Sequence, residues 1–112
     1  MINVANVRYT KYSKNDPTVI YVGRKMKDFG GSVLGNPYKI NKQDNVLDTG
    51  RDKVIRKYKM WLLERMKDKE SDQFKEMIRL KRLSEAGNLT LLCWCWPLHC
   101  HGDVIKEILE SM

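Results

Sequence analysis

Leu89-Thr90-Leu91-Leu92-Cys93-Trp94-Cys95-Trp96 is the stretch on which the fold turns. Apolar residues fill both alternating sets of positions, so the segment predicts a strand covered on each face. Pro97 ends it, having no N–H to give to a ladder. Just upstream, Gly87-Asn88 is a helix stop, and just downstream Gly102-Asp103 opens a last helix whose Val104, Ile105, Ile108 and Leu109 form one apolar stripe. A doubly covered strand between two helices points to α/β layering.

Working outward, Ser71 to Ala86 reads as a helix with Phe74, Met77 and Ile78 inward and Leu80 and Leu83 less cleanly so. From Asp52 to Met66, apolar residues at 54, 55, 58, 61, 62 and 66 give the helical period, with basic residues spread over the other faces. Thr18-Val19-Ile20-Tyr21-Val22, ending at Gly23, and the alternating Ile2 to Arg8 read as strands joined through the turn-rich Asn15-Asp16-Pro17. Residues 25–50 show neither period and hold Gly30, Gly31, Gly35 and Pro37, which marks a glycine-containing loop long enough to expect a function of it. The expected fold is a small single α/β domain over residues 1–112: a mixed three- to four-stranded sheet flanked by about three helices, with a right-handed, Rossmann-like crossover from the second strand to the third.

The size fits one core: 112 residues, of which 42% are hydrophobic, can fold without metal or disulfide staples. No apolar run has membrane-spanning length, and Met1-Ile2-Asn3-Val4 lacks a secretory signal's basic start, so a cytoplasmic location is expected. Three cysteines then read as free thiols. The net charge of +7 is unevenly laid: residues 1–50 carry 8 basic and 4 acidic groups, 51–87 carry 12 and 7, and 88–112 carry 1 and 3. The cysteine-rich end is the least basic part, so charge and candidate chemistry are separate questions.

In open α/β sheets ligands bind beyond the carboxyl ends of the strands. Two segments lead there, Gly23-Arg24 with its loop, and the run from Cys95 to Asp103. Cys93, Cys95, His99, Cys100 and His101 are five zinc-ligand types within nine residues, but the Cys-x-Cys spacing and the lack of a second ligand cluster favour buried hydrophobic cysteines, and no metal or other cofactor is expected. The start of the last helix offers unpaired N–H groups and the positive dipole end to a phosphate, Gly102 permits close approach, and His101 and Asp103 supply acid/base groups. The plain alternatives are an ordinary helix-start aspartate and a solvated turn histidine. Arg24 and Arg51 suit a bidentate anion clamp, Asn36 and Gly35 lie in the glycine loop, and Tyr58 reads as a core residue with a polar tip toward the crevice. The loop is neither a dinucleotide fingerprint nor a P-loop.

Tyr21-Val22-Gly23-Arg24, Leu34-Gly35-Asn36-Pro37-Tyr38, Arg51 with Tyr58 and Trp61-Leu62, Cys93-Trp94-Cys95-Trp96-Pro97 and Cys100-His101-Gly102-Asp103-Val104 together resemble the domain of unknown function family 4326, small proteins of phages and prokaryotes. The resemblance runs over about residues 3–110 and nominates Arg24, Asn36, Arg51, Cys95, His101 and Asp103 as a site. It implies a phage or prokaryotic setting and supplies no activity.

The expected function is binding of a phosphate-bearing, nucleotide-derived ligand in the crevice through Arg24, Gly35, Asn36, Arg51, Tyr58, Cys95 and Gly102, with sequestration or processing of a host immune signal as its role. One alternative is a nucleotide- or nucleoside-processing enzyme of hydrolase or glycosidase type, with His101 and Asp103 as acid/base and Asn36 positioning the substrate. Another is a nucleic-acid or host-protein binder using the basic helix over residues 51–67. No membrane partner is expected, and the sequence does not speak to oligomeric state.

Overall fold

The computed structural model describes residues 1–8, 11–12, 15–23, 30–35, 37, 49–94 and 101–112, with the backbone alone described for 49–52. Its elements run β1 (Ile2–Asn6), β2 (Val19–Tyr21), α1 (Thr49–Met66), α2 (Asp72–Ala86), β3 (Leu89–Cys93) and α3 (His101–Ser111). This is the expected order, and the domain is a small α/β unit with a three-stranded sheet and three helices among the described residues.

The strand order is β1-β3-β2 and both ladders are parallel, with Ile2 opposite Leu89, Asn6 opposite Cys93, and Tyr21 opposite Leu92. Among the described residues the sheet is therefore parallel, not mixed. The reason is topological: β3 inserts between the two N-terminal strands, so neither pairs with the other. Each instead reaches β3 by a long connection that brings the chain back in the same direction. The central position explains the composition of β3, where Leu89, Leu91, Leu92 and Cys93 are all buried and only Thr90 is partly exposed.

Parallel partners share a face, and Ile2, Val4, Leu89, Leu91, Ile20 and Val22 form one apolar surface on which the helices pack. α1 contributes Ile55, Tyr58 and Leu62, α3 contributes Val104, Ile105, Ile108 and Leu109, and α2 contributes Met77 and Leu80. In α2 the inward stripe is rotated from the expected one: Leu80 is fully enclosed, whereas Phe74 and Ile78 are half-buried. α1 begins three residues before the expected Asp52, because Thr49-Gly50-Arg51 adds a turn that carries no apolar mark in the sequence.

Local chemistry fixes the element ends. Ahead of β2, the Thr18 hydroxyl and N–H both donate to Asp16 Oδ1, at 2.7 and 2.9 Å. These bonds, the hydroxyl's first, hold the Asp16 carboxyl below its ordinary range, so the turn's support is present at neutral pH and fades as acid protonates it. At the α1–α2 corner, the buried Ser71 hydroxyl donates to Arg65 O at 2.8 Å and accepts from Phe74 N–H at 3.1 Å, capping α2 while tying it to α1. Ser71→Ala is expected to cost about 1–2 kcal/mol, because it orphans both groups at once, and a urea unfolding midpoint indistinguishable from the parent would contradict this.

Candidate functional site

The carboxyl ends of the three parallel strands lie together, and side chains knit them. Val7 N–H donates to Cys93 O at 2.9 Å. The buried Asn6 donates from Nδ2 to Trp94 O at 2.9 Å and accepts from Arg8 N–H at 2.8 Å, bridging the exits of β1 and β3. On the other flank, Trp94 Nε1 donates to the Tyr21 hydroxyl at 3.0 Å, joining the exits of β3 and β2. Trp94 remains 39% exposed beside the strand ends.

The exit of β2 is the hub, because three consecutive residues each hold a different part of the molecule. Tyr21 holds Trp94, as above. Val22 offers its carbonyl to His101 Nε2 at 2.8 Å, linking β2 to the first residue of α3. Gly23 O accepts from Ser32 N–H at 3.0 Å and so pins the glycine loop. That loop turns tightly, with Gly35 N–H on Ser32 O at 2.9 Å and Leu34 N–H on Ser32 Oγ at 3.0 Å.

Glycine at 35 has a steric reason. A Cβ there would sit 3.0 Å from Ser32 O and 3.2 Å from Gly23 O, both backbone atoms that cannot rotate aside. At Gly23 a Cβ would lie 2.6 Å from Tyr21 Cζ, so a larger residue there would have to displace the tyrosine ring.

Tyr58 secures the loop from below. Its side chain is fully buried, and its hydroxyl donates to Leu34 O at 2.6 Å. Its ring meets the His101 ring edge-on at 5.3 Å between centroids and lies 5.6 Å from that of Trp61. The polar tip thus reaches the crevice loop through a backbone carbonyl, so Tyr58 positions the wall and presents no surface to a ligand.

A carbonyl oxygen only accepts, so the Val22 contact requires the hydrogen of His101 to be on Nε2. In the neutral ring the lone pair is then on Nδ1. Gly102 is buried in the first turn of α3, and Asp103 follows it there, partly exposed, where the helix dipole favours its negative charge.

Of the nominated residues, the structure thus gathers Gly35, Tyr58, His101, Gly102 and Asp103 around the β2 exit and the start of α3. Arg24, Asn36 and Cys95 lie outside the described residues, as does the side chain of Arg51, whose backbone is in the first turn of α1. Of the zinc-type ligands, Cys93 is fully buried at the end of β3, and Cys95, His99 and Cys100 lie outside the described residues. Among the described residues no group of three His, Cys, Asp or Glu side chains is placed to hold a metal. No described helix is long and apolar enough to cross a membrane.

Four residues of this region escaped the sequence reading. Asn6 is a polar residue at the end of an apolar strand, Leu34 an apolar residue inside a glycine loop, and both exceptions were visible as such. Tyr21 and Trp94 read as strand composition, and nothing in the sequence pairs them. Across known families, the model described as Domain of unknown function (DUF4326) matches residues 5–111. No curated protein and no solved structure matches the chain.

Proposed function

The chain belongs to the DUF4326 family, and from that premise and the geometry at the β2 exit we propose that it binds a phosphate-bearing, nucleotide-derived ligand in the crevice beyond the strand ends. The observation that carries this reading is the convergence on residues 21–23 of a glycine loop, the first residue of a helix and an exposed aromatic residue, each held by its own hydrogen bond. Each part matches one component of a nucleotide. The N-terminal turn of α3 carries backbone N–H groups and the positive dipole end that favour a phosphate. Exposed Trp94 is proposed as the stacking surface for a base. Arg24 and Arg51 are the cations proposed to clamp the phosphate, and Asn36 and Cys95 are the further residues proposed to contact the ligand. In a phage or prokaryotic setting such a pocket would sequester or process a nucleotide immune signal of the host.

Calorimetry with a panel of linear and cyclic nucleotides tests the proposal. A ligand present at about a hundredfold its Kd is expected to stabilise the fold by about 2.7 kcal/mol. Arg24→Ala is expected to weaken binding at least about tenfold through loss of a charge-assisted bond. A panel without a single binder, or an Arg24→Ala variant that binds like the parent, overturns the reading. Chromatography of the bound ligand over time separates sequestration from turnover. Turnover would assign the acid/base role to His101 or Asp103 and move the protein to the nucleotide-processing enzymes.

A further inference from the structure

On α1 the face turned from the core carries Lys53, Arg56, Lys57 and Met60, followed one turn on by Leu63 and Glu64, all exposed. Their spacing of three, four and seven residues puts them on one side of the helix. The helix holds six basic residues against two acidic ones, a net +4 of the chain's +7. α3, packed beside it, holds one basic residue against three acidic ones. Lys59 meets that acidity directly, with Nζ 2.7 Å from Glu107 Oε1. Among the described residues, Lys53, Arg56 and Lys57 make no such ion pair. Among the described residues, the positive charge of this face is therefore not compensated by an ion pair.

We propose that this face of α1 binds the phosphate backbone of double-stranded DNA, as a surface separate from the crevice. The charge of the face is complementary to a row of phosphates. The cations Lys53, Arg56 and Lys57 fill the first two described turns of the face, within reach of adjacent phosphates, and the exposed Met60 and Leu63 follow them toward the end of the helix. A backbone of regularly spaced phosphates needs only exposed cations on a rigid element, and binding through them carries no sequence preference. The opposite side of the same helix holds Ile55, Tyr58 and Leu62 in the core, so changes at 53, 56 and 57 do not touch the wall that Tyr58 supports.

Fluorescence anisotropy with a labelled mixed-sequence DNA duplex is the test. Neutralising about three phosphates gives a log–log salt slope near −2.7, so affinity is expected to fall about 40-fold between about 50 and about 200 mM salt. K53E/R56E/K57E is expected to abolish binding. K69E/K75E/R82E, which makes the same charge change at exposed positions elsewhere, is expected to keep most of it. Unchanged circular dichroism of both variants confirms that folding is intact, and nucleotide calorimetry reports the crevice independently. Equal losses in the two triple variants would reduce the effect to net charge and overturn the proposal. So would salt-independent binding, no binding at low salt, or displacement of the duplex by an acidic polypeptide at equal charge concentration.

Discussion

Tyr58→Ala is expected to lower the unfolding free energy by about 3–5 kcal/mol, a large share of the roughly 5–15 kcal/mol that holds a domain of this size together. Three losses combine. The fully buried ring leaves a cavity, its contacts with Trp61 and His101 disappear, and Leu34 O loses its donor. Tyr58→Phe separates the last from the others: the ring stays, and the expected cost is about 1–2 kcal/mol for one unpaired buried carbonyl. Urea unfolding followed by circular dichroism measures both. A cost below about 1 kcal/mol for the alanine variant would mean that the ring is not enclosed as described. The phenylalanine variant also tests the site, because releasing Leu34 O loosens the glycine loop while leaving His101 on Val22. Nucleotide affinity is expected to fall in Tyr58→Phe by more than its small stability loss explains, and a parent-like Kd would detach the loop from the crevice.

The element order was legible because periodicity reports burial: β3 is apolar on both faces and is the central strand, and the Val104, Ile105, Ile108 and Leu109 stripe is the buried face of α3. Strand direction was not legible. It depends on which strand lies between which others, and the turn residues between β1 and β2 carry no mark of β3 inserting there. Charge by segment gave the right separation but not its geometry. The structure concentrates it, with the basic excess on α1, the acidic excess on the neighbouring α3, and Lys59–Glu107 between them.

For the site, the sequence announced the residues with chemistry of their own, His101, Asp103 and the glycines. It was silent on those that act through a backbone atom. Val22 and Gly23 enter the hub by their carbonyls, which no side chain advertises, and Tyr58 reaches the loop through Leu34 O. A tyrosine on the apolar side of a helix looks the same in sequence whether its hydroxyl meets solvent, a ligand or a carbonyl.

Leu34→Ala carries the second large expectation, about 2–5 kcal/mol, although it changes a residue in a loop. Loop side chains usually tolerate truncation because they lie at the surface. Leu34 is fully buried in the core cluster that also holds Tyr58, Val22 and Ile105, so it plugs the loop into the domain. The loop then has two attachments at one residue, the side chain in the core and the carbonyl on Tyr58. Truncating the side chain leaves the carbonyl free to drift from the hydroxyl, and removing the hydroxyl leaves the side chain as the remaining attachment at Leu34. The costs of Leu34→Ala and Tyr58→Phe should therefore not add. In the double variant the second substitution finds its bond already weakened, and the sum of the single costs is expected to exceed the double cost by about 0.5 kcal/mol or more. Chemical denaturation of the four proteins closes the cycle. Additivity within about 0.3 kcal/mol would show that the two attachments are independent, and the loop would then not be the single hinged wall on which the crevice reading relies.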